Sequence, residues 1–212
     1  MTHGLCSIRD NFTALGRSVG PAVSLSNPIN VEYQVVRTTL LPGLLKTLQH
    51  NKSASFTQGF KLFEISDVVL PDDKWEVTDT IVGCKNSRRI CAVYAGPTSG
   101  FEIIHGLVDR IMALCEVAPE AEYIANSAKS KEEEYRVSKD GWTYTIAELD
   151  STDTVAGTYF PGRAASILLT SPNSNGERIQ IGTFGILHPD VLKNFAIQYP
   201  SSCMEIDLEA LL

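Results

Sequence analysis

The final third of the chain is strand after strand. Trp142–Leu149, Ala164–Thr170, Arg178–Ile186 and Cys203–Leu208 follow one another, interrupted only by a short helix that starts at Pro189 and carries Val191, Leu192 and Phe195. Such a succession has no room for repeated strand–helix–strand crossovers, so it demands a sheet whose neighbours run antiparallel. The polar Ser171-Pro-Asn-Ser-Asn-Gly176 stretch is a hairpin turn between the second and third strands. In the last strand Met204, Ile206 and Leu208 alternate with polar residues, the pattern of a half-buried strand. Gly182 and Gly185 inside a strand point to a bulge or a close packing contact.

Upstream, Phe60–Val69 is apolar on both faces except at Lys61, Glu64 and Asp67, which predicts an inner strand covered on two sides. Arg89–Tyr94 is its neighbour, ended by Gly96-Pro97. A shorter strand is predicted at Ala22–Ser26. Two helices are legible. Leu41, Leu44, Leu45 and Leu48 recur on one face, with Pro42 in the first turn where its missing N–H is not needed. Ile104, Leu107, Val108, Ile111 and Cys115 form the stripe of a second, Phe101–Glu116, whose Ser99 and Glu102 have capping-box spacing. His188-Pro189 caps the last helix. The reading is α+β, a mainly antiparallel sheet flanked by helices, in one domain over 1–212 with a polar loop insertion at 118–134.

The charge balance narrows the function. Eighteen basic against 25 acidic residues give a net charge of −7 over 212 residues, opposite to the basic footprint with which stand-alone nucleic-acid binders neutralise phosphate. Only Lys85, Arg88 and Arg89 cluster as a local basic patch. Five scattered cysteines, an odd number, fit reduced thiols and a cytosolic setting. No 18-residue apolar run, no glycine-rich phosphate loop, no nucleophile elbow and no paired Cys or His at zinc spacing is present. Glu132–Glu134 is a solvated charge run.

Four segments, in order, resemble the carboxy-terminal region of the phenylalanyl-tRNA synthetase β subunit of eukaryotic and archaeal type. They are Ser26-Asn-Pro-Ile-Asn-Val-Glu-Tyr33 running into Val36-Arg-Thr-Thr-Leu-Leu-Pro-Gly-Leu-Leu45; Asn51-Lys52 followed by Lys61-Leu-Phe-Glu-Ile-Ser-Asp-Val-Val69; Gly100–Met112; and Phe160-Pro-Gly-Arg163 followed by Ile181–Leu192. The Glu205-Ile-Asp-Leu-Glu209 ending matches as well. The resemblance implies a class II synthetase-like core without chemistry of its own. It also implies a cytoplasmic heterotetramer of two α and two β subunits, which attaches phenylalanine to tRNA(Phe) using ATP and magnesium at the α subunit. No cofactor is expected in this part of β. On the same grounds the chain is expected to be a fragment, its partners being the α subunit, a second β subunit and, in the complete enzyme, tRNA(Phe).

The resemblance also makes residue-level expectations. Class II synthetases hold ATP through an arginine in an Arg-x-Glu strand motif and a second arginine after a glycine-rich strand; planar, permanently charged guanidinium suits phosphate. With Glu64 in the acidic position, Leu62 stands where the first arginine belongs, and none follows Gly182 and Gly185. Lys61 and Lys193 are the nearest cationic substitutes. Leu40, Leu41, Leu44 and Leu45 are read either as a subunit interface or as this domain's own core. Arg37 and Arg163 are read as members of structural ion pairs, with Glu64 and Asp67 as carboxylate partners. Retained ATP or adenylate binding, and direct contact with tRNA, are the alternative functions.

Overall fold

A computed structural model describes residues 2–52, 56–72, 83–120, 141–172 and 176–211. Strand β1 (Leu5–Cys6) pairs antiparallel with β2 (Val35–Val36) in a two-stranded sheet, and helix α1 (Ile8–Asn11) sits between them in sequence. Ala22–Ser26 contributes only an isolated bridge, Ser24 to Val35. Helix α2 (Leu41–His50) then leads to the long strands β3 (Phe60–Pro71) and β4 (Cys84–Ala95), helix α3 (Phe101–Leu114) and the two-residue β5 (Ala118–Pro119). Strands β6 (Thr143–Glu148), β7 (Tyr159–Thr170) and β8 (Arg178–Leu187), helix α4 (Pro189–Asn194) and strand β9 (Ser201–Asp207) complete the order.

The main sheet runs β3-β4-β9-β8-β7-β6-β5, with every pair antiparallel except β5–β6. The α+β reading with a mainly antiparallel sheet therefore holds. The last strand threads between β4 and β8 at the centre, and both of its faces are buried. That corrects the half-buried reading at Glu205, which looks solvent-facing in sequence but accepts from Thr39 and Leu40 of the chain that enters α2, whereas Asp207 is half-buried and accepts from Ser87. The reverse correction applies to β3. It is an edge strand, and Phe63 and Ile65 on one face are 72% and 53% exposed. An apolar pattern on both faces reports what a strand can bury, and here only one face is covered within the described residues.

Apolar residues fill both sides of the sheet. On one side, Leu41, Leu44, Leu45 and Leu48 of α2 pack with Cys91, Val93, Tyr159, Leu187 and Cys203. On the other, Ile104, Val108, Ile111 and Met112 of α3 pack with Ile90, Ala92, Phe184, Met204 and Ile206. The expected Ser99–Glu102 cap on α3 does not form. Gly100 takes the N-cap position in left-handed geometry, φ 65°, because a Cβ there would lie 2.2 Å from the Tyr94 ring. At α4 the His188 side chain does accept from Asp190 N, 3.2 Å. Gly182 and Gly185 permit close contact: added Cβ atoms would meet the Glu205 carbonyl at 2.5 Å and Ala164 at 2.7 Å, beside a register shift in the β7–β8 pair.

Of the polar 118–134 stretch, Ala118–Pro119 form β5, Glu120 pairs with Arg178 at 3.0 Å, and the remainder lies outside the described residues. The tip of the β7–β8 hairpin at 173–175 and Glu132–Glu134 lie outside them too. Among the described residues no helix is long and apolar enough to cross a membrane.

Candidate functional site

Even-numbered residues of β3 face α2, so Leu62, Glu64 and Ser66 share the covered side while Lys61, Phe63, Ile65 and Asp67 point to the other. The chain between β2 and α2 crosses this covered side and brings Arg37 down onto it. Arg37 Nη1 stands 3.3 Å from Glu64 Oε1 with both side chains more than nine-tenths buried. The same guanidinium donates to Thr2 Oγ1 at 2.8 Å, Ser66 Oγ at 2.6 Å and the Asp67 backbone carbonyl at 3.1 Å. Thr2 closes the ring, its N–H donating to Glu64 Oε1 at 3.0 Å and its hydroxyl to Oε2 at 2.7 Å. Gly43 makes room for it: a Cβ on that helical residue would fall 2.5 Å from Thr2 Oγ1. Burial pushes the Glu64 carboxyl up, but the Thr2 donors and the Arg37 charge outweigh it and hold the group below its ordinary value.

A second acid on the same side is used in the same way. Glu205 of β9 accepts from the Thr39 hydroxyl, from Leu40 N at 3.1 Å and from Arg89 Nη1 at 3.5 Å. Both carboxylates thus anchor the Arg37–Leu40 segment as it enters α2, and neither is presented to an external ligand. The arrangement is a buried clamp that fixes a chain crossing.

The remaining expectations divide. Asp67 does not pair with Arg37 through its carboxylate. It lies on the opposite face and forms a bidentate pair with Arg88, 2.5 and 3.0 Å, whose guanidinium holds it below the usual carboxylate range. Arg163 takes no part in the clamp; it is exposed in the irregular first part of β7, within the register shift between Tyr159 and Ala164. Leu40, Leu41, Leu44 and Leu45 are at most 4% exposed and belong to this chain's own core, so the interface reading is corrected: none is available to a partner without unfolding α2. The basic patch dissolves as well, because Arg88 and Arg89 fall on opposite faces and pair with Asp67 and Glu205.

Lys61 cannot stand in for an arginine at Leu62, since strand alternation sends it to the other side of the sheet. Lys193 is exposed on the last turn of α4. No group of three or more His, Cys, Asp or Glu suited to a metal ion occurs among the described residues. His105 stacks on Phe184, centroids 5.3 Å apart, which makes it a packing residue of α3. A buried Tyr159–Thr183–Cys203 contact, 2.9 Å between the hydroxyls and 3.9 Å from sulfur to Tyr159, is sealed in the core; burial pushes the Cys203 thiol up to about 12.

Sequence reasoning missed Thr2 and Glu205, the residues that complete the clamp. Gly43 was the available signal, a glycine inside an otherwise strong helix. Also missed was a hollow of about 550 Å³ beside α4, lined by Phe160, Pro189, Leu192, Lys193, Ile197 and Tyr199 among others.

An antiparallel sheet with helices on both sides, with Glu64 and Glu205 engaged in internal contacts, defines an α+β domain. The phenylalanyl tRNA synthetase beta chain CLM domain matches residues 1–208, and the chain belongs to that family. The cytoplasmic phenylalanine–tRNA ligase beta subunit of Arabidopsis thaliana is 40% identical over 213 residues, covering 100% of this chain and 31% of the relative. The mouse beta subunit is 40% identical, covering 100% of the chain and 30% of the relative, and that of Saccharomyces cerevisiae 41% identical, covering 98% and 31%. The chain therefore spans about three tenths of the length of these curated relatives.

Proposed function

We propose that this chain is a non-catalytic, assembly-forming domain of the β subunit of a cytoplasmic phenylalanine–tRNA ligase, the enzyme that attaches phenylalanine to tRNA(Phe) using ATP and magnesium. Its partners in that reading are the α subunit, which supplies the chemistry, and a second β subunit; tRNA(Phe) is a partner of the complete enzyme. A class II synthetase-like core in the carboxy-terminal region of β is the finer form of the proposal. It rests on the residue resemblance and is supported by an antiparallel sheet flanked by helices.

The observation that carries the non-catalytic role is the state of Glu64. In a working Arg-x-Glu strand the acid and its arginine would face the nucleotide. Here Leu62 replaces the arginine and the Glu64 carboxylate is consumed by Thr2 and Arg37. A site without guanidinium clamps lacks the electrostatic stabilisation on which phosphoryl chemistry depends, commonly several kcal/mol.

The test has two arms. Titration calorimetry of the 212-residue chain with ATP and magnesium, with and without phenylalanine, is expected to give no saturable heat. Co-expression with a phenylalanine–tRNA ligase α subunit is expected to yield a co-purifying complex. Saturable binding at micromolar ATP would overturn the silent reading, and an α subunit that never co-purifies would overturn the assembly role.

A further inference from the structure

The hollow beside α4 is built from three pieces of chain: Phe160 at the start of β7, Pro189, Leu192 and Lys193 of α4, and the Ala196–Ser201 segment that leads into β9. Its walls are mostly apolar and fixed. Phe160 stacks on His188 with centroids 6.3 Å apart, and Tyr199 stacks on Phe56 at 4.4 Å. Pro189 and Pro200 stiffen two sides, and Ala196 holds a left-handed backbone, φ 52°, that an alanine adopts only under constraint from its neighbours. Little ordering remains to be done when something enters, so the cost of binding is lowered in advance.

The polar residues of the lining are Lys193, Gln198 and the buried Ser201. Lys193 is the one side chain of the lining that carries charge at neutral pH. It is exposed, and no ion pair engages it among the described residues. A free cation beside an apolar concavity selects an occupant that brings a bulky apolar group and a carboxylate together. The hollow is also shallow, with Phe160 45% and Tyr199 37% exposed. A small free acid would remain half solvated there, whereas a polypeptide continues its contacts past the rim.

We propose that this hollow is a docking site for a partner polypeptide segment that seats one bulky apolar side chain against Phe160, Leu192 and Tyr199 and sets an adjacent Asp or Glu against Lys193. The site is separate from the Arg37–Glu64 clamp and does not depend on the proposed role in the ligase.

A library of random 16-residue peptides displayed on phage, panned against the immobilised 212-residue chain, provides the probe. Enrichment of a bulky apolar residue next to Asp or Glu is expected. The synthetic consensus peptide should then bind in an anisotropy titration. Phe160→Asp, at an exposed position outside both cores, should weaken it at least tenfold with the circular dichroism spectrum unchanged. Lys193→Glu should weaken it roughly fivefold, about what an exposed ion pair contributes, and a peptide with the acid changed to lysine should recover that loss. No enriched sequence, or binding indifferent to both variants, overturns the proposal. So does N-acetylphenylalanine competing at the peptide's own affinity, since that would make the hollow a small-molecule site, and so does a change of the free chain to a dimer lost in Phe160→Asp, since that would make it a self-contact.

Discussion

Replacing Arg37 by methionine keeps the length of the side chain and removes its charge and four hydrogen bonds, so it isolates what the clamp contributes. The loss would leave the Glu64 carboxylate buried with only the two Thr2 donors, and would orphan Ser66 Oγ and the Asp67 carbonyl. Breaking a buried pair by removing one partner costs about 3–5 kcal/mol. The Nη1–Oε1 distance of 3.3 Å is long for a charged pair, which puts the expectation at the low end, about 3 kcal/mol. With a urea dependence of about 2 kcal/mol per molar, the unfolding midpoint should fall by about 1.5 M at pH 7. Acid should narrow the gap. In the wild type the depressed Glu64 carboxyl contributes stability that is full above its unfolded value near 4.5 and is lost as pH falls through its folded value. In Arg37→Met the two Thr2 donors remain but the Arg37 charge no longer helps them offset burial, so the carboxyl is depressed less and that variant loses less stability on acidification. Arg37→Met combined with Glu64→Leu should be more stable than Arg37→Met alone, because no buried charge is left uncompensated. A midpoint within 0.5 M of wild type (about 1 kcal/mol), or a double variant that loses the sum of both singles, would refute the clamp as described.

Three further outcomes follow from the same packing. Leu45→Ala at a fully buried site should cost about 2–5 kcal/mol and lower the melting temperature of the isolated chain, whereas an interface leucine would leave it unchanged. Gly43→Ala, which helix propensity alone would make stabilising by about 1 kcal/mol, should destabilise, because the new Cβ displaces Thr2 from Glu64; urea titration decides the sign. Iodoacetamide at pH 8 should label Cys84 and Cys115 in the native chain and reach Cys91 and Cys203 only in denaturant, since burial pushes both thiols well up; peptide mapping by mass spectrometry reads this directly.

Periodicity located the elements whose partners lie on one side. The leucines of α2 and the Ile104–Val108–Ile111 stripe of α3 are legible because a helix buries one face whatever it packs against. Strand position is different. β3 and β9 differ in sequence in the misleading direction: the apolar one is at the edge and the polar one is central. What reverses them is tertiary. β9 can carry Glu205 inward only because Thr39, Leu40 and Arg89 come from elsewhere to meet it, and no window of sequence contains that information. The strand predicted to start at Ala164 starts instead at Tyr159, its irregular register absorbing Pro161 and Gly162. Ser99 lost the α3 cap to Gly100 for the same kind of reason, a Tyr94 ring pressed against the backbone from the neighbouring strand.

The candidate site shows how far a missing residue can be read as a missing function. In the proposed class II reading Leu62 stands where the first arginine belongs, and on that ground alone one substitution would return that guanidinium. The structure makes a stronger statement. Leu62 packs partly buried against the core under α2, and the neighbouring acid has already been given to Arg37 and Thr2. An arginine introduced at position 62 would be desolvated on a closed face, beside an existing guanidinium, with the carboxylate it needs engaged elsewhere. Leu62→Arg is therefore expected to lower the urea midpoint and still give no heat with ATP and magnesium. A stable Leu62→Arg chain that binds ATP would mean the face opens readily, and that silence resides in one side chain. Failure on both counts is the expected result, since the Arg37–Leu40 backbone closes the face and the substitution supplies no second arginine after Gly185.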